Sequence, residues 1–549
     1  MKTSASRTLA NWLAAIIILL AAANARAAGS APVFNILDYG AKNDGSASST
    51  EAFRAAIQAA KLAGGGTVFV PPGEYVTGPI ELVSNLVLNI EAGATLRFPA
   101  TRLPLAKGRV QGIECLQPVP LLGGMNVENV TITGRGVVTT NNADWTQLMG
   151  RPQGVAGGAF GPVWEALRTS LEQKTPAPEE EYVKAAPYLR PAFIRFMESK
   201  NVLVEGIHMV GSSFWTIHML YSSNVVIRGV TLETYPGAFT GGIYIDSSRD
   251  VRIADCYVDT GDDAIVLKSG KDADGRRVNR PTENVTITNC VVHHGSGAVV
   301  LGSEMSGGIR NVVASNIVFQ GTQMGINLKS DRGRGGVIEN IQLDNWTMDD
   351  VGRAINVSQY YVHEGNVTAT PPRASERTPA FRNISISNMN IIRCRAAVGY
   401  EPAPPVMINI EGLPEMPISG LRISHVIASG KGGLKVHDTV ALQLHDVEVN
   451  GDGGPTFLIR DSKDLELDGV STRQPVAGVP VVRLERCPGT IVRASRAFAG
   501  TGTFLSTPPG ELKDIVLQGN VLDGAQRPTE ESAAPDTPQI SPLRNQISP

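Results

Sequence analysis

A short phrase recurs along the chain: a polar or small residue, then alternating aliphatic and polar residues. It reads Asn129-Val-Thr-Ile-Thr-Gly, Asn201-Val-Leu-Val-Glu-Gly, Asn224-Val-Val-Ile-Arg-Gly, Asp250-Val-Arg-Ile-Ala-Asp and Asn284-Val-Thr-Ile-Thr-Asn, and starts again at Asn311, Asn340, Asn383, Gly420, Ala441 and Asp464. Alternation over a few residues marks a strand with one face in a core. Recurrence every few tens of residues marks a solenoid whose units bury their apolar faces against one another. The shortest intervals, 201 to 224, 224 to 250 and 441 to 464, hold short strands and turns but no helix. A leucine-rich repeat or an α/β barrel needs a helical pattern in each interval. The predicted fold is therefore all-β, a single right-handed parallel β-helix spanning residues 28–524. With 58 glycines and only 5% aromatics, the composition suits a stack of tight turns around an aliphatic core.

Stacked rungs leave unpaired edges at both ends, which a soluble solenoid covers. Residues 48–63 supply an N-terminal capping helix: Ser48 and Glu51 have capping-box spacing, and Phe53, Ala56, Ile57 and Ala60 recur at helical spacing. Residues 525–549, rich in Pro, Ser, Gln and charge, are expected to form a disordered tail. At the start, Lys2 and Arg7 precede an apolar stretch from about Leu9 to Ala23, followed by Ala25-Arg26-Ala27. That order reads as a signal peptide over residues 1–27, with the mature chain periplasmic or secreted and not anchored in a membrane. Cys115, Cys256, Cys290, Cys394 and Cys487 are too few and scattered for a disulfide scaffold, so buried free thiols are expected. A net charge of −3 gives no reason to expect nucleic acid or an anionic membrane as partner.

Between Thr240 and Lys329 successive rungs carry an unusual density of polar side chains: Asp246, the pair Asp262 and Asp263, His293 and His294, and Lys329. In a solenoid, equivalent positions on adjacent rungs are neighbours, so these residues can converge on one stripe of the outer wall. Adjacent carboxylates resist ionising together, and one retains its proton toward neutral pH. Glycosidic cleavage needs such a pair, one acid for the leaving oxygen and one carboxylate for water or sugar. Taken alone, an Asp-Asp pair after Gly is equally a turn or a calcium site.

The phrases around the pair resemble those of glycoside hydrolase family 28, the polygalacturonase family. The similarity begins at Asp38-Tyr-Gly-Ala-Lys-Asn-Asp-Gly, passes through Phe214-Trp-Thr-Ile-His, Thr260-Gly-Asp-Asp-Ala-Ile-Val-Leu-Lys-Ser-Gly and Leu301-Gly-Ser-Glu-Met-Ser-Gly-Gly, and reaches Arg332-Gly-Arg-Gly-Gly-Val-Ile-Glu-Asn. The resemblance implies inverting hydrolysis of pectic polysaccharide or oligosaccharides without metal or cofactor. It makes Asp262 the general acid and Asp263 the group that positions or activates water. It also implies substrate contacts from Asp246, His294, Asn327, Lys329 and Tyr361. Three positions depart from the family's phrases: its Asn-Thr-Asp falls on Phe239-Thr240-Gly241, its Gly-His-Gly on Gly295-Ser296-Gly297, and its Arg-Ile-Lys on Asn327-Leu328-Lys329. One carboxylate and one guanidinium are thus replaced. Two rival readings follow, a catalytically silent carbohydrate-binding β-helix and a polysaccharide lyase on the same scaffold.

His218 is read either as lining the cleft or as a packing residue. Lys268, Lys271, Arg276, Arg277, Arg332 and Arg334 form a basic loop set that suits either a solvated face or an anionic substrate. Long insertions at 138–190 and 360–380 are candidates to wall the groove.

Overall fold

The computed structural model describes residues 31–149, 169, 183–184, 189–361, 371–396 and 405–533. The expected signal peptide and most of the 138–190 insertion lie outside the described residues. Each repeat forms one coil of a parallel β-helix, and the coils build two long sheets of 26 and 15 strands, with a separate two-stranded antiparallel hairpin. Pairing passes from each coil to the next in register, as in Val225↔Val251, Val251↔Val285 and Val285↔Val312. The aliphatic positions of each phrase point inward: Val225, Ile227, Val285, Ile287, Val312, Ile341 and Ile384 are at most 1% exposed. Each such side chain contributes about 1.5–3 kcal/mol by leaving water.

The first residue of the phrase is a corner. Asn129, Asn201, Asn224, Asp250, Asn284, Asn311, Asn340 and Asn383 all have φ between 51° and 59°, the left-handed region that Asn and Asp tolerate best after glycine. Their side chains also stack: Asn201 Nδ2 donates to Asn129 Oδ1 at 2.8 Å, Asn224 to Asn201 at 2.7 Å, and Asn311 to Asn284 at 3.1 Å. The asparagine thus turns the chain and ties one coil to the next.

The helix at the N-terminal end runs Thr50–Leu62 and buries Ala52, Phe53, Ala56, Ile57 and Ala60 against the first strands Val33–Asn35 and Gly66–Val70. The expected capping box does not form. Ser49 is the N-cap residue and makes no side-chain cap bond, while Glu51 pairs with Arg54 one turn on. At the other end the expected tail begins too early: Ala525–Glu531 is a strand paired in parallel with Thr501–Thr507. Its Thr529 and Glu530 continue the register of Leu505 and Ser506, so backbone pairing orders a segment that its polar composition had marked as unstructured. Residues 534–549 lie outside the described residues. All five cysteines are buried free thiols.

Candidate active site

The 15-stranded sheet carries the Asp-rich phrases. Its inward positions repeat the aliphatic core, with Ile243, Ile245, Ile265, Leu267, Val299, Leu301, Ile326 and Leu328 fully buried. Its outward positions form two stripes. One runs in register through Arg195, His218, Tyr244, Val266, Val300, Asn327, Asn356, Asn409 and Lys435. The other includes Gly302, Lys329, Ser358, Glu411 and His437.

Asp262 and Asp263 occupy the turn from the strand Tyr257–Thr260 into the strand Ile265–Lys268. Thr260 Oγ1 donates to the Asp262 carbonyl at 2.8 Å, and the Asp263 backbone N–H donates to Asp262 Oδ1 at 2.8 Å. Asp263 Oδ2 accepts from Lys329 Nζ at 2.9 Å, while its buried Oδ1 has no hydrogen-bond partner. The Lys329 ammonium stands 5.2 Å from the centroid of the Tyr361 ring, so Tyr361 faces the pair and Tyr360 packs instead beneath Arg332. Burial and then the Asp263 charge push the Asp262 carboxyl up to about 6, against the pull of Lys329. Two like carboxyls in one shielded turn therefore differ in partner, one carrying a lysine and the other prone to keep its proton. Glycine is required at 297, where a Cβ would fall 2.5 Å from Val300 Cγ2 and 3.0 Å from Asp263 Oδ1.

Asn327 joins this cluster at the head of an amide ladder. Asn409 Nδ2 donates to Asn356 Oδ1 at 3.0 Å, and Asn356 Nδ2 donates to Asn327 Oδ1 at 2.9 Å. Arg353 Nη1 also donates to Asn356 Oδ1 at 2.8 Å. A guanidinium has only donors, so it fixes which way Asn356 points and turns the amino group of Asn327 away from the ladder.

Asp246 does not line the cleft. Its carboxylate is fully buried, 2.8 Å from Arg109 Nη1 and 3.6 Å from His218 Nε2. Burial opposes its ionisation, yet Arg109 and His218 outweigh burial and hold it below the ordinary carboxylate range. Asp246 is an internal counter-ion, because a hairpin sequentially remote from it covers its rung. His218 is likewise a packing residue, edge-on to the Trp215 ring at 4.9 Å. His294 lies on the neighbouring sheet, in the register position of Thr260. Its Nδ1 is 2.9 Å from Asp259 Oδ1 and its ring stacks on Tyr235 at 4.0 Å. Five of the six residues of the basic loop set are bonded within the chain. Lys268 pairs with Glu304, Arg277 with Glu114 and Asp274, Arg332 with Glu415 and Arg334 with Asp272, and Arg276 donates to the Gly333 and Arg334 carbonyls.

The hairpin Leu105–Val110 and Ile113–Pro118 escaped the sequence reading. It lies over the outer face of the sheet, packing Val110, Ile113 and Cys115 with Leu189, Phe214, Trp215, Tyr244, Val266 and Val300. Its turn reaches the edge of the cluster: the Lys271 N–H donates to the Gly112 carbonyl at 2.9 Å, and a Cβ on Gly112 would lie 2.8 Å from Glu304 Cγ.

A carboxyl pushed up to about 6 beside an ion-paired one, on the wall of a parallel β-helix, is the arrangement of a β-helical glycosidase. Comparison with known proteins agrees. The family model described as glycosyl hydrolases family 28 matches residues 182–391, and one described as rhamnogalacturonase A/epimerase, pectate lyase-like, matches residues 33–95. A probable polygalacturonase from Vitis vinifera is 28% identical over 71% of this chain and 73% of its own length. An exo-poly-alpha-D-galacturonosidase from Dickeya chrysanthemi is 26% identical over 80% of this chain and 74% of its own. The crystal structure of a hyperthermoactive exopolygalacturonase from Thermotoga maritima superposes with a TM-score of 0.66 at 32% identity, covering 76% of this chain and 92% of that one. The chain belongs to glycosyl hydrolases family 28.

Proposed function

We propose that this chain is an exported, exo-acting hydrolase that removes sugars from an end of galacturonate-containing polysaccharide or oligosaccharides. The observation that carries the reading is the Asp262–Asp263 turn: Asp262 keeps a proton up to about pH 6, and Asp263 stands beside it with a lysine on its second oxygen. Asp262 protonates the leaving oxygen, and Asp263 takes a proton from the attacking water. Lys329 and the amino group of Asn327 meet polar groups of the sugar, with Tyr361 as a stacking face; His294 contacts substrate from the rim. Action at a chain end is supported by the hairpin 105–118, which covers the outer wall beside the pair. The relatives named exopolygalacturonase and exo-poly-alpha-D-galacturonosidase support it too. Export to the periplasm or beyond is supported by the basic and then apolar start from Lys2 to Ala27.

The test is product analysis on galacturonate oligosaccharides of defined length. Single sugars or a fixed short unit should appear from the first turnovers, and Asp262→Asn should lose activity by about a hundredfold or more. A ladder of intermediate lengths would show internal cutting. Binding with no new reducing ends would favour the silent β-helix, and an unsaturated uronate product the lyase.

A further inference from the structure

Position 241 lies on the rung next to the carboxyl pair: the Gly242 N–H donates to the Asp263 carbonyl at 3.0 Å. No side chain fits there. A Cβ on Gly241 would fall 2.1 Å from Tyr244 Oη and 2.4 Å from Tyr244 Cε2. The phenol of Tyr244 thus fills the space a side chain at 241 would take. Its ring cannot swing clear, being stacked on Trp215 at 4.2 Å and 9°, with Trp215 stacked in turn on Phe214 at 5.1 Å. Burial first, then the charges of Asp262 and Asp263, hold the Tyr244 proton far above the ordinary phenol range, so the group stays neutral wherever the enzyme works.

We infer that the Tyr244 hydroxyl, standing where a side chain at 241 would stand, is a positioning group for the attacking water. The inference rests on the hydrolase reading above. Water's oxygen forms the bond to the anomeric carbon as the bond to the leaving oxygen breaks. One water proton passes to Asp263 and the Asp262 proton passes to the leaving oxygen. Tyr244 keeps its own proton, its oxygen accepting the second hydrogen of the water, which stays on the product hydroxyl. A neutral phenol leaves Asp263 as the single base and adds no charge beside Asp262.

The test compares wild type, Tyr244→Phe, Tyr244→Ala and the double variant Gly241→Asp with Tyr244→Ala, on galacturonate oligosaccharides. Tyr244→Phe keeps the stacked ring and loses only the oxygen; kcat should fall by about tenfold or more with KM within about twofold and an unchanged melting temperature. The double variant places a carboxylate in the freed space and should recover kcat over Tyr244→Ala. Undiminished kcat in Tyr244→Phe overturns the inference while the hydrolase reading stands. If Tyr244→Phe does not fold, a double variant no faster than Tyr244→Ala overturns it. Absence of product from wild type overturns both.

Discussion

As far as the rung of Val300, the upstream half of the outward stripe of the 15-stranded sheet reads Arg195, His218, Tyr244, Val266 and Val300; beyond it, the downstream half, in the same register, reads Asn327, Asn356, Asn409 and Lys435. The inward faces of the two halves are alike, mostly Ile, Val and Leu with Phe196 and Met219 at the upstream end, and so is the backbone. The upstream half is apolar and covered, with stacked rings under a hairpin. The downstream half is an oriented amide ladder beside ionised groups: Glu411 has Lys435 Nζ at 3.4 Å and His437 Nε2 at 3.6 Å. Burial alone would raise the Glu411 carboxyl, but His437 and Lys435 hold it well below the usual range. The boundary between the two halves is where Asp263 meets Lys329. The comparison teaches that a solenoid sets its groove chemistry at outward positions alone, and places a reaction where a closed wall meets an open polar one.

Lys329 is the boundary group, so its removal should cost most. Lys329→Met leaves Asp263 buried without its cation; kcat should fall by about a hundredfold or more and stability by about 3–5 kcal/mol, read by steady-state kinetics and thermal unfolding. On the closed side, Trp215→Ala removes the middle of the ring stack, with an expected loss of about 3–5 kcal/mol. It should also broaden the product lengths, seen by chromatography. On the open side, Asn356→Ala cuts the amide ladder and frees Asn327 to turn. A cost of about 1–3 kcal/mol, mostly as higher KM with kcat little changed, would mark the ladder as a binding device. The smallest change belongs to neither half: Asn311→Ala at a corner should cost about 1–2 kcal/mol from the left-handed backbone, leaving kinetics untouched.

The scaffold was legible because its determinant is local and repeated. Each phrase carries both the alternation of a strand and the first residue, most often asparagine, of a left-handed corner, although the sequence alone did not distinguish the corner from the strand. The shared face of the Asp pair and Lys329 was legible for the same reason, since the repeat converts sequence spacing into neighbouring rungs, whereas Asn327 and Tyr361 were named from the resemblance alone. Asp246 was misplaced because its environment is set by Arg109, 137 residues away. No periodicity relates an antiparallel hairpin to the rungs it covers. The amide ladder did leave a trace: Ile326-Asn-Leu, Ile355-Asn-Val and Ile408-Asn-Ile repeat one phrase at the same outward position. Tyr244 left none, because an aromatic between two isoleucines reads as strand packing, and only the space over Gly241 distinguishes it.

The most direct measurement is kcat against pH, from about pH 4 to about pH 8, for wild type and Lys329→Met. In the proposed mechanism the acid form of Asp262 is the working form, so its folded value of about 6 sets the upper limb. The rate should be level below that value and fall about tenfold per pH unit above it. Lys329 favours the ionised form of Asp262, so its loss should move the limb to higher pH in whatever activity remains. A wild-type rate that stays level through pH 8, or a limb that Lys329→Met moves downward, would contradict Asp262 as the acid.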